Sequence, residues 1–133
     1  MTPDDPTDPL TWLNRAYSNL RLAEKGRTQG VMLEDLCFNA QQAAEKALKA
    51  VCLFKELDFP KTHSLVRLMD ILESRDVSIP EAVKSADILT QYSVQTRYPG
   101  PVETVSTEEY EEALVLASKV VFWAEALISG KKS

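Results

Sequence analysis

The chain has 133 residues, a formal charge of −5 and 44% hydrophobic residues, enough for one compact core. An acidic balance opposes general affinity for a nucleic-acid backbone, which relies on a basic surface to release counterions, although a local basic pocket remains compatible with it. Four glycines and few alternating β-branched runs exclude a sheet protein, and Ala, Leu, Glu and Lys fill the periodic segments, so the class is all-α.

Residues 1 to 7 place two prolines among acids and read as a loose lead-in. They carry no basic or apolar leader pattern, and no uninterrupted apolar run approaches the roughly 20 residues that span a bilayer. A cytoplasmic protein without membrane association is expected. Asp8 before Pro9 supplies an N-cap and first-turn pair, after which Leu13, Ala16, Tyr17, Leu20, Ala23 and Glu24 follow one helical face to about Lys25. Gly26 can end that helix, and Gly30 lies in the turn before the next.

The second helix is predicted from near Leu33 to beyond Phe54, the longest apolar period in the chain. Leu36, Ala40, Ala43, Ala47 and Ala50 form one apolar line, and Cys37, Ala44, Leu48, Val51 and Cys52 its neighbour. The alanines are strong helix formers with little bulk, so neighbouring helices can approach closely. Cys37 and Cys52 are fifteen residues apart on this helix, a span of roughly 22 Å that forbids a bridge between them. They read as small buried hydrophobes, with no Cys/His cluster beside them to suggest zinc.

Pro60 interrupts the pattern, and Thr62 or His63 can cap a short helix carrying Leu65, Leu68, Met69 and Leu72. Ser78-Ile79-Pro80-Glu81 has the form of a capping box for a fourth helix through Ala82, Val83, Ala86, Leu89 and Ser93, ending near residues 94 to 97 before Pro99-Gly100-Pro101. Ser106-Thr107-Glu108-Glu109 is a second capping box, and Tyr110, Ala113, Leu114, Ala117, Val120, Val121, Ala124, Leu127 and Ile128 keep the helical period to Gly130. Four long helices and one short one with modest connections predict an antiparallel helical bundle over residues 8 to 130, followed by a tail at 131 to 133.

Phe38-Asn39-Ala40-Gln41-Gln42-Ala43-Ala44-Glu45-Lys46-Ala47-Leu48-Lys49-Ala50, then Lys61-Thr62-His63-Ser64-Leu65, then Thr96-Arg97-Tyr98-Pro99-Gly100 occur in the order found in HEPN domains. With Trp12-Leu13 near the start and the long last helix, nearly the whole chain resembles that family. The resemblance implies an up-and-down bundle that commonly dimerises, often beside a minimal nucleotidyltransferase, with roles in nucleotide or substrate binding. Many members are instead ribonucleases, often toxins of toxin-antitoxin pairs, which share an Arg followed after four to six residues by His. Here Val102, Glu103 and Thr104 stand where that His is expected after Arg97, and the single histidine is His63.

The candidate ligand-binding residues are Arg97, Tyr98, Lys46, Lys49, Gln42 and Gln41, with His63 as a secondary candidate. An Arg beside a Pro-Gly-Pro turn can fork onto phosphate, or it can cap helix carbonyls. Tyr98 can stack on a base or simply pack the turn. Gln42, Glu45, Lys46 and Lys49 share one helical line, and the Glu45–Lys49 order also suits a solvated ion pair. Gln41 is placed to hydrogen-bond across a subunit interface. A lone His at a helix start is an acid or base in principle and a cap or packed ring more often. Trp12 and Trp123 lie on amphipathic helices as core or dimer contacts.

Three functions follow: a non-catalytic module binding a nucleotide or nucleotidylated substrate for a nucleotidyltransferase; a ribonuclease toxin, opposed by the missing His; and a dimeric adaptor whose Gln-Gln-Ala-Ala stripe is the interface. A homodimer suits all three. No cofactor, no metal and no catalytic residue is nominated.

Overall fold

The computed structural model describes residues 5–26, 30–93 and 105–130. Among them lie α1 (Pro9–Ala23), α2 (Leu33–Phe54), α3 (Leu65–Glu73), α4 (Glu81–Lys84), a 3₁₀ segment (Ser85–Tyr92) and α5 (Thr107–Ser129). No strand occurs among the described residues, and no helix there is long and apolar enough to cross a membrane.

The antiparallel bundle is built around α2, which packs on α1 and α5 and, over smaller areas, on α3 and the 3₁₀ segment. Ala40, Ala43, Ala44, Ala47 and Ala50 are all fully buried, as are Cys37, Leu48, Val51 and Cys52. Methyl side chains on two adjoining lines let helices close on α2 from more than one side, which explains how its burial extends so far around the axis. Burial pushes the thiols of Cys37 and Cys52 up to about 11, so both stay protonated core groups at neutral pH.

The termini of α1 and α5 follow their sequence signals. Asp8 Oδ1 accepts from Leu10 N at 2.9 Å with Pro9 in the first turn. Ser106 and Glu109 form a reciprocal capping box, and Gly130 closes α5 in the left-handed region at φ 73°. The first described residues are tied down: the indole of Trp12 donates to the Pro6 carbonyl at 2.8 Å.

Three local expectations are corrected. Ser64, rather than Thr62 or His63, caps α3 by accepting from Arg67 N at 3.2 Å. Ser78 forms no capping box; Pro80 occupies the N-cap of α4 without a side-chain bond. The long fourth helix is one α-turn that continues as a 3₁₀ segment closing at Tyr92. Its buried residues Val83, Ala86, Leu89 and Tyr92 recur at intervals of three, which a three-residue turn aligns on one face and an α-helix would not. Ser85 Oγ donates to the Glu81 carbonyl at 2.9 Å where the α-turn gives way, a back-bond of the kind that bends helices.

Candidate functional site

The polar stripe expected along α2 divides into two groups. Gln41, Glu45 and Lys49, spaced four apart, face inward and are 0%, 3% and 8% exposed. Gln42 and Lys46 sit at the edge of that line, half-buried.

Glu45 is the hub of the inward group. Its Oε2 accepts from Lys49 Nζ at 2.8 Å, and its Oε1 receives Gln41 Nε2 at 3.0 Å and His63 Nδ1 at 2.9 Å. Gln41 Nε2 also reaches the His63 carbonyl at 3.2 Å, while its own oxygen accepts from Gln42 Nε2 at 2.8 Å. Burial by itself would raise the Glu45 carboxyl. The hydrogen bonds from Lys49, Gln41 and His63 outweigh that effect, and the group is held below the ordinary carboxylate value.

The Lys49 ammonium stands 5.7 Å from the ring centroids of both Trp12 and Phe59, which meet edge to face at 6.2 Å and 89°. Two aromatic faces and one carboxylate replace the water that Lys49 loses. The reading of Glu45–Lys49 as a solvated pair is therefore overturned. At the other end of the network the His63 side chain is 65% exposed.

Lys46 belongs to a second group at the seam of α1 and α2. Its Nζ donates to Asn19 Oδ1 at 2.8 Å, Asn19 Nδ2 donates to Asn39 Oδ1 at 2.9 Å, and Asn39 Nδ2 to the Asp35 carbonyl at 3.1 Å. Burial first, and then the charge of Arg15, lower the Lys46 pKa; Glu45 acts in the opposite sense and Lys49 adds a smaller lowering. The exposed Arg15 of α1 thus brings a second positive charge near the half-buried Lys46.

Of the candidate residues, the structure joins Gln41, Gln42, Lys49 and His63 through Glu45 and leaves Lys46 on the adjoining seam. Arg97 and Tyr98 lie outside the described residues. Gln41 bonds within its own chain rather than across an interface, and Ala43 and Ala44 are fully buried inside the bundle, so the Gln-Gln-Ala-Ala stripe is not a free docking face. Sequence reasoning omitted Glu45 as the hub, although the Gln41, Glu45, Lys49 spacing marks one helical line. It omitted Arg15 and Asn19, because nothing local to α1 announces a partner on α2, and it cited Asn39 only as part of the family segment.

A shallow cleft of about 450 Å³ between Met32, Glu34, Val105 and Thr107 contains none of these side chains. Glu34 and Glu45 are eleven residues apart, roughly 16 Å along α2. Among the described residues no group of three or more His, Cys, Asp or Glu is arranged to hold a metal ion.

The HEPN domain family model matches residues 10–127. Two solved structures share the fold. ST0689, an archaeal HEPN homologue, superposes with a TM-score of 0.72 at 22% identity, covering 91% of this chain and 98% of that one. TT1696 from Thermus thermophilus superposes at 0.69 with 36% identity, covering 88% of this chain and 95% of that one. Comparison with curated proteins finds no match. A family match over most of the chain, on a bundle whose α2 carries the Gln-Gln-Ala-Ala-Glu-Lys segment bonded to the Lys-Thr-His loop, makes this chain a member of the HEPN family.

Proposed function

We propose that this chain is a cytoplasmic HEPN module that binds a nucleotide or a nucleotidylated substrate in partnership with a minimal nucleotidyltransferase. The observation that carries the reading is the Arg15–Lys46 pair. In a chain of net charge −5, the positive charge of the exposed Arg15 is felt at Lys46, whose pKa burial lowers and whose hydrogen-bond acceptor is a neutral amide. A phosphate entering this seam would favour the charged form of Lys46, opposing the effect of burial. Arg97 and Tyr98 are the further contributors that the sequence motif nominates. The module acts as a homodimer, supported by the outward face of α5, where Val115 and Phe122 are 53% and 54% exposed.

The test is an NMR titration with ATP, GTP, UTP and a short single-stranded RNA, with RNA integrity followed in the same samples. Saturable shifts along the α1–α2 seam are expected. Lys46→Gln should weaken binding about tenfold, the loss of one charge-assisted contact worth about 1.4 kcal/mol, and Arg97→Ala should weaken it as well. Absence of saturable binding, both alone and with the partner enzyme present, refutes the reading, and RNA breakdown would assign the chain to the nucleases instead.

A further inference from the structure

The buried network of Gln41, Glu45 and Lys49 ends on a side chain that faces water. A purely structural ion pair needs no such terminus, and a well-packed apolar pair often fills the same volume with little loss of stability. What the network accomplishes is to hold one imidazole. Glu45 is ionised at neutral pH and can only accept, so the hydrogen shared at 2.9 Å resides on His63 Nδ1. In the neutral ring the lone pair is then on Nε2, on a side chain 65% exposed and with no partner for that nitrogen among the described residues. A carboxylate that fixes the tautomer and orientation of an accessible imidazole is the arrangement in which histidine transfers protons.

We propose that His63 is a catalytic proton acceptor that hydrolyses a nucleotidyl phosphodiester, with Glu45 as its positioning residue. The substrate class rests on the nucleotide reading above: Glu45 and Lys46 are consecutive residues of α2, so the dyad adjoins the seam assigned to phosphate. In the reaction, His63 Nε2 takes a proton from water as the water oxygen bonds to phosphorus. The bond from phosphorus to the ester oxygen breaks, and its electron pair leaves with that oxygen, which recovers the proton from the imidazolium. The products are a nucleoside monophosphate and a free hydroxyl compound. The chain would thus consume what a nucleotidyl transfer produces.

The experiment uses the full chain with the p-nitrophenyl ester of thymidine 5′-phosphate, whose leaving group is seen by its absorbance and departs unprotonated. Thymidine 5′-phosphate binding is followed in parallel by NMR. His63 is the chain's only histidine, so one pair of ring ¹⁵N signals reports both tautomer and titration. Turnover is expected with a lower pH limb that coincides with the measured His63 titration, and with the hydrogen on Nδ1. His63→Ala, at an exposed position that leaves Gln41 and Lys49 bonded to Glu45, should lower kcat by roughly 10²-fold or more with KM little changed, and added imidazole should restore part of the loss. Binding of the monophosphate without turnover of the ester overturns this inference and leaves the binding reading standing. Undiminished turnover in His63→Ala, or a hydrogen found on Nε2, overturns it as well. Failure of the monophosphate to bind removes both.

Discussion

Lys49 and Glu45 are opposite charges kept almost wholly from water on one helix, and their stability depends on each other. The carboxylate has three donors and the ammonium has a carboxylate and two aromatic faces, so neither desolvation cost is left uncompensated. Lys49→Met should therefore destabilise the fold by about 3–5 kcal/mol, because it strands a buried carboxylate. The double variant Glu45→Leu with Lys49→Met should recover most of that loss, as measured by urea denaturation. The pH dependence has a definite sign. The Glu45 carboxyl is depressed in the fold, so its contribution is fully present above the ordinary value of 4.5 and is lost as pH falls through the lower folded value. The urea midpoint of the wild type should fall with acidification below pH 4.5, and Glu45→Gln should flatten that fall.

At the scale of the elements, α2 and α3 end in the same way without glycine. Leu57 N reaches the Cys52 carbonyl at 2.8 Å and Glu56 N the Leu53 carbonyl at 3.0 Å, while Val77 N reaches Leu72 and Asp76 N reaches Glu73, each at 3.1 Å. These are paired C-terminal closures of the Schellman kind, with Glu56 and Asp76 at φ 57° and 65° and the apolar Leu57 and Val77 buried behind them. Holding a residue with a Cβ in that region costs on the order of 1 kcal/mol. Glu56→Gly should stabilise the chain by about 0.5–1 kcal/mol, read as a higher urea midpoint with an unchanged slope. Such stops are hard to read in a sequence because neither carries the usual glycine and Glu56 is a residue that seldom adopts this conformation. The starts are legible where the local signal is self-contained, as at Asp8-Pro9 and Ser106 to Glu109, whose bonds run within one turn. The fourth helix is misread from sequence because Val83, Ala86 and Leu89 fit an α-period nearly as well as a three-residue one. The addition of Tyr92 separates the two.

For the whole molecule, the proposed assembly draws on α5. Its inner face is consumed by the core, whereas Val115 and Phe122, seven residues apart, remain outside. If the proposed homodimer forms there, Phe122→Glu should shift the protein to monomer in analytical ultracentrifugation while its far-ultraviolet circular dichroism is unchanged. Unaltered dimer in that variant would move the interface elsewhere.

The amino-acid sequence determined the all-α class, the α2 and α5 spans, the buried alanine face and the family, because periodicity, capping and motif order are properties of contiguous residues. It also singled out Gln41, Gln42, Lys46, Lys49 and His63. What they do to one another was decided by tertiary structure. His63 stands eighteen residues from Glu45 and Asn19 twenty-seven from Lys46, so only the packing of the loop and of α1 onto α2 brings them within hydrogen-bond distance. Burial reverses the meaning of the stripe for a related reason. A Glu and a Lys four residues apart are a modest surface pair in water, and the same spacing turned inward becomes a charged support for an exposed imidazole.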